Sequence, residues 1–355
     1  MDFGIALPTA ADNYKIVARA EELGFSHAWF YDTQMLSADC FVAMGAAAVH
    51  TKKIRLGTGV LVPSNRIAPV TANALATLNQ LAPGRIDFGV GTGFTARRAM
   101  GFGAIKVKDM ETYVHQVYGL LRRETVDFEM EGEKKKIRFL NPELPLFNTR
   151  DPIALHFSAF GPRTRALTAK FKAGWIDFVG KVENGVKEVT AMKEAWAQAG
   201  HAASDLRATA FALGCVLADG EKADSARAMA QAGPRAAVML HRAADEALVG
   251  LKPGVAMLRT PEIDGYIEAM RKHPAEARYL ENHRGHLMFV KDEEKKFVTA
   301  KMIAETSFTA SEAEIKTRIE ALKAAGYTQF TIQLVPGQES AIADWARIEI
   351  GRAHV

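Results

Sequence analysis

Cysteine is nearly absent from this chain of 355 residues. There are two, Cys40 and Cys215, far apart and with no second thiol or histidine at ligand spacing beside them. That excludes a disulfide-stapled scaffold and predicts the reduced thiols of a cytoplasmic protein. Proline is also scarce, 13 residues against 28 glycines, which excludes collagen-like and low-complexity classes. Long apolar runs are missing: the most apolar stretches, 41–49 and 211–218, are under half the roughly 20 residues of a membrane span. The opening MDFGIALPTA lacks the basic start, apolar core and small-residue cleavage site of a secretory signal. Nor is there a surplus of one charge. Lys plus Arg is 45 and Asp plus Glu is 41, so the balance of +4 is spread thinly and suggests neither a nucleic-acid nor a membrane partner.

What is present is 48% hydrophobic content, enough for one large core or two smaller ones, arranged in a repeating rhythm. A short β-branched or aromatic run is followed by a loop and then by an alanine- and leucine-rich amphipathic stretch. Residues 2–7 read as a strand, and 12–23 place Ile16, Val17, Ala20 and Leu23 on one helical face, with Gly24 at the C-cap. Strands at 27–31, 55–60 and 86–91 are each followed by helical periodicity, at 39–50, 70–81 and 110–122. After a charged, hairpin-like stretch at 124–139 the rhythm resumes with strands at 153–157, 175–179 and 206–217, a helix at 224–239 and a last strand at 329–334. Thr309 and Glu312 read as a capping box before the helical run IKTRIEALKAAG. Eight such units predict a closed α/β (β/α)8 barrel, a single domain over residues 1–355. The gap from about 238 to 307 is too long for one crossover and predicts a helical insertion over the C-terminal mouth of the barrel.

In such a barrel the chemistry belongs to the loops after the strands. The fourth loop runs Gly89-Val90-Gly91-Thr92-Gly93-Phe94-Thr95-Ala96-Arg97-Arg98, glycines for close backbone approach followed by paired anion-binding side chains. It is not a dinucleotide fingerprint, because Phe94 stands where a third glycine is required. Ser158-Ala159-Phe160-Gly161-Pro162-Arg163 after the fifth strand offers a helix N-terminus to a phosphate, and Gly180-Lys181-Val182 adds a cation to the same rim. Asp32, Gln34, Phe94, Arg97 and His286 are candidates to face a substrate. His283 and His286 are spaced three apart with no third ligand evident in the sequence, so no metal is expected, and KDEEKK at 291–296 reads as a solvated turn.

The segments VGTGF, GTGVLVPSNRIAP, SAFGPRTRALTAKFKAGW and TASEAEIKTRIEALKAAGYTQFTIQLVP occur in this order, and each closes a strand. Together they resemble the luciferase-like monooxygenase superfamily, in particular its methylenetetrahydromethanopterin-reductase-like branch. The resemblance implies a usually dimeric TIM-like barrel that binds FMN or the deazaflavin F420 at the C-terminal strand ends. It implies a cis peptide at Gly59-Val60, contacts to the ring from Thr58, Gly59, Val60, Gly91, Thr92 and Gly93, and a phosphate among Ser158, Ala159, Gly161, Gly180, Lys181 and Val182. Sugar-phosphate dehydrogenases of the superfamily carry an Asp-His pair and an acidic residue where this chain has Asp32-Thr33 and Phe94. The expectation is therefore an FMN-dependent monooxygenase acting on a small organic substrate, with a separate flavin reductase as a possible partner. F420-dependent hydride transfer is the alternative within the fold, and a non-catalytic flavin-binding protein the alternative outside catalysis.

Overall fold

The computed structural model describes residues 1–250 and 259–350. Eight parallel strands close a barrel in the order β1, β12, β9, β8, β7, β4, β3, β2. In chain order these are β1 (Asp2–Leu7), β2 (His27–Phe30), β3 (Arg55–Thr58), β4 (Ile86–Val90), β7 (Ala154–Ser158), β8 (Gly174–Phe178), β9 (Ala208–Ala212) and β12 (Gln329–Gln333). Their outer faces are covered by α1 (Tyr14–Leu23), α2 (Cys40–His50), α3 (Ala68–Leu81), α5 (Val107–Leu121), α6 (Pro162–Lys170), α7 (Val182–Gln198), α12 (Glu312–Ala325) and α13 (Ile342–Ile350). A one-turn helix α4 (Phe94–Arg98) follows β4. The charged stretch after α5 is the expected hairpin, β5 (Val126–Met130) paired antiparallel with β6 (Glu133–Ile137). No helix among the described residues is long and apolar enough to cross a membrane.

Local signals place most of these elements. Gly24 ends α1 with φ 96°, a left-handed conformation that costs glycine nothing, and its N–H closes on the Ala20 and Glu21 carbonyls. Asp39 caps α2 by accepting from the Phe41 and Val42 N–H groups. The capping box of α12 lies two residues beyond the expected one: Ser311 and Glu314 exchange side-chain and backbone bonds, while Thr309 pairs with the Ser307 hydroxyl. Both pairs fit the same three-residue spacing, and only the chain path decides which one caps.

The insertion begins earlier than expected. The helix expected to be the seventh crossover, α8 (Ala226–Ala244), instead opens the insertion, and the crossover to β12 is α12. The chain leaves and returns side by side, with β10 (Val216–Leu217) paired parallel to β11 (Ala310–Ser311). Between them α8 packs with α9 (Pro261–Arg271), α10 (Arg278–His283) and α11 (Ala300–Thr306) around a core of its own that includes Leu240, Tyr266, Ile267, Met270 and Ile303. An apolar stripe shows that a helix packs but not which surface it packs on.

Trp29, Ile176 and Phe211 fill the barrel interior. Below them Asp87 joins Arg55 through a two-point ion pair, with His156 Nε2 3.4 Å away. Outside the barrel wall, Asp177 is buried and accepts from the Tyr327 hydroxyl at 2.7 Å, with no salt bridge among the described residues. Burial pushes the Asp177 carboxyl up to about 6. Because the folded value lies above the unfolded one, this site becomes less unfavourable as pH falls from 7 towards about 4. Asp177→Asn is therefore expected to be more stable than the parent by about 1–3 kcal/mol at pH 7.5, with the gap closing below pH 6. Urea unfolding at a series of pH values checks both the sign and the convergence.

Candidate functional site

The C-terminal strand ends form a mouth whose floor is apolar: Tyr31, Val60, Phe178 and Phe211 pack together there. The loop after β3 is fastened to the end of β4. The Leu61 N–H donates to the Gly89 carbonyl, the Gly91 N–H to the Leu61 carbonyl, and the Thr58 hydroxyl to Gly89 at 2.7 Å. The Gly59-Val60 peptide is cis. The missing side chains of the fourth loop make room for protein: a Cβ on Gly89 would fall 2.1 Å from the Thr58 carbonyl oxygen, and one on Gly91 2.8 Å from a Val60 methyl. Those glycines therefore let the two loops touch, which brings Val60 to the floor. Gly93 turns left-handed, with φ 83°, to start α4, and Thr92 accepts from the Ile105 N–H.

Asp32 is 4% exposed, and its carboxylate is committed to the same loop. Arg66 Nη1 donates to Oδ1 at 2.7 Å, while the Val62 N–H and Asn65 Nδ2 donate to Oδ2, each at 3.2 Å. Gln34 continues the stitching, accepting from Asn65 Nδ2 and donating to the Ala96 carbonyl. Both residues hold loops in place. Arg97 donates to the Gly103 carbonyl and lies over the Phe102 ring, while Arg98 is buried against Asp245 of the insertion at 2.9 Å. Two guanidinium groups lie over the Phe94 ring, that of Arg98 3.6 Å and that of Arg242 5.3 Å from its centroid.

Around the rim, Ala159 is buried, with its carbonyl accepting from Trp175 Nε1, and Ser158 is half-buried beside it. Gly161 caps α6, its N–H taken by the Thr164 hydroxyl, and Arg163 in the first turn is exposed. Lys181 caps α7, with Val182 as the first helical residue. The Lys181 ammonium faces Glu305 at 3.9 Å, and a Cβ on Gly180 would fall 2.5 Å from the Thr306 carbonyl oxygen. That glycine lets the insertion approach the rim. Two adjacent helix N-termini with flanking cations remain, a setting that favours an anion.

The sequence reading missed what α8 contributes. Arg235 and Arg242, seven residues apart on one helical face, reach into this region. Arg235 lies close enough to Tyr31, Asp177 and His286 to couple to them, and burial lowers its guanidinium to about 10. Arg242 Nε is buried without a partner, and neither arginine has an ion pair among the described residues. Two arginines seven apart in an alanine-rich helix are a signal the sequence did carry. His286 is 4% exposed, with Nε2 3.3 Å from the Thr95 hydroxyl, and His283 lies beside it. A third histidine, His241 of α8, joins them. Lys291 and Glu294, read as part of a solvated turn, are buried at 2% and 0% exposure and form an ion pair at 2.7 Å.

An apolar floor, cations above it and an anion-favouring rim fit a flat ring carrying a phosphate. A cleft of about 610 Å³ lined by Ile67, Phe128 and Leu140 lies between the hairpin and α3.

Comparison with known proteins agrees with the barrel fold. The family described as luciferase-like monooxygenase matches residues 3–329. The 5,10-methylenetetrahydromethanopterin reductase of Methanolobus tindarius is 28% identical over 238 residues, 64% of this chain and 69% of that protein. The F420-dependent glucose-6-phosphate dehydrogenase of Beutenbergia cavernae is 32% identical over 146 residues, 39% of this chain and only 41% of that enzyme's length. In structure, the coenzyme F420 dependent tetrahydromethanopterin reductase from Methanopyrus kandleri superimposes with a TM-score of 0.68 at 20% identity, covering 99% of this chain and 98% of that one.

Proposed function

This chain belongs to the luciferase-like monooxygenase family of oxidoreductases, and from that premise we propose that it transfers hydride between F420 and the carbon of a small anionic substrate. The observation that carries the reading is the pair of half-buried guanidiniums, Arg235 and Arg242, which have no ion pair among the described residues, above an apolar floor. The relatives named for F420 favour that cofactor over FMN, reversing the preference drawn from the sequence.

A deazaflavin, when bound, supplies the hydride; the protein supplies placement and dryness. Thr58, Gly59, Val60, Gly91, Thr92 and Gly93 would border the ring, with Tyr31, Val60, Phe178 and Phe211 keeping water from its face. Arg163, Lys181 and the first turns of α6 and α7 would hold its phosphate. Arg235 and Arg242 would orient the substrate by an acidic group. Thr33 and Phe94 place no imidazole or carboxylate at the ring, which speaks against sugar-phosphate dehydrogenation. The same dry floor suits oxygen chemistry on reduced FMN, the second reading.

Titration of the purified chain with F420 and FMN separately tests the choice. F420 binding at micromolar concentration with FMN binding at least tenfold weaker is expected; the reverse order overturns the F420 reading in favour of FMN. Removing one charge-assisted contact by Arg242→Met is expected to weaken an acidic substrate or competitor roughly 10- to 100-fold while leaving cofactor affinity within a few-fold.

A further inference from the structure

His241, His283 and His286 are each 4% exposed or less, and one ring nitrogen from each lies within 4.8 Å of those of the other two. Their outer nitrogens are all engaged. His241 Nε2 meets Glu294 Oε1 at 2.7 Å, His283 Nε2 meets Asp245 Oδ1 at 3.2 Å, and His286 Nε2 meets the Thr95 hydroxyl at 3.3 Å. That leaves the three Nδ1 atoms. Those of His241 and His286 are 2.9 Å apart, and that of His283 is buried without any partner.

The two carboxylates fix the tautomers. An acceptor at Nε2 keeps the proton there and leaves a bare lone pair at Nδ1, so His241 and His283 each present one. His286 needs only to move its proton from Nδ1 to Nε2, facing Thr95, to present a third. Three neutral imidazoles, two of them oriented by carboxylates, form the donor set of a borderline divalent transition ion. A hydrogen-bonded histidine chain would account for His241 and His286 but not for the orphaned Nδ1 of His283, which costs free energy unless it is met.

We propose that the Nδ1 atoms of His241, His283 and His286 bind one divalent transition-metal ion of the zinc class, inside the insertion and next to the β4 loop. Glu294 and Asp245 are already paired with Lys291 and Arg98, so they orient the ligands without neutralising the ion. The fourth tetrahedral position would therefore take an anion, either hydroxide or a carboxylate. Such a site would tie α8 and α10 to Thr95, independently of which cofactor the barrel holds.

The test uses the full chain, stripped with chelator and then equilibrated with Zn2+ or Co2+ and desalted. One equivalent of either metal should remain, with visible d–d absorption in the cobalt form. His241→Ala and His283→Gln should each retain under a tenth of an equivalent. Circular dichroism and thermal unfolding in EDTA identify folded variants; His283→Gln, whose amide reaches the position of Nε2 and can keep the Asp245 hydrogen bond, decides if His241→Ala does not fold. Uptake below a tenth of an equivalent by the unmodified chain overturns the proposal, as does full uptake by folded His283→Gln.

Discussion

Asp32→Ala is expected to cost roughly 3 kcal/mol of stability and to weaken cofactor binding by more than tenfold, because it unfastens the loop that carries Val60. The carboxylate gathers Arg66, the Val62 N–H and Asn65, three donors from one stretch of loop, at 2.7 to 3.2 Å. Deleting it leaves these groups short of an acceptor in a buried place, where an unmet partner is worth more than the bond itself. Arg66 keeps its second contact, to Asp39, which holds the loss below that of a wholly orphaned ion. Asp32→Asn should fall between, keeping an acceptor for the Val62 N–H while losing the ion pair. Urea unfolding and cofactor titration separate this role from a substrate-contacting one. If Asp32→Ala kept full stability and cofactor affinity but lost turnover, the carboxylate would be acting on substrate.

The barrel was legible in the sequence because its evidence is periodic. Each strand is a short apolar run and each helix an amphipathic one, so the order of elements survives errors at their ends, two residues at the cap of α12 and five at the end of β9. The loops at the mouth were legible as loops, but their roles were not. Asp32, Gln34 and Arg98 occupy positions where a ligand-facing residue belongs, and the loop and insertion groups that hold them lie 30 to 147 residues away, a distance that no local pattern encodes. The glycines at 89 and 91 mislead in the same way, since a missing side chain does not say whether its space is filled by a ligand or by Thr58 and Val60. The insertion was the least legible. His283 and His286 stand out in sequence, but their third companion, His241, lies 42 residues upstream of His283, two residues past the end expected for the helix at 224–239 and on the last turn of α8.

Glu294→Leu is expected to cost about 3–5 kcal/mol in the insertion, the largest loss of any single charge removal here, because Lys291 would remain buried and unpaired. The two residues lie three apart in KDEEKK, a run whose other members are solvated: Asp292 and Lys295 pair across the exposed face, while Lys291 and Glu294 turn inward. Burial by itself would raise the Glu294 carboxyl. The His241 hydrogen bond and the Lys291 charge overcome that and hold it at about 2. A folded value below the unfolded one contributes stability that is complete above about pH 4.3 and is lost as pH falls towards 2. His241, kept neutral by burial, adds a loss of the same sign once the unfolded imidazole protonates below about pH 6.5. The insertion should therefore loosen as pH falls below about 6.5, and amide hydrogen exchange should show α8 and α10 opening more readily in acid than at neutral pH. Lys291→Met combined with Glu294→Leu removes both charges at once and should recover at least half of the single-variant loss, because no buried ion is left without a partner. Tyr266 and His241 would still lose the acceptor they share on Glu294, at 3.1 and 2.7 Å, so recovery should stop short of the parent. A double variant no more stable than Glu294→Leu would mean that these two hydrogen bonds, and not the ion pair, hold the insertion together.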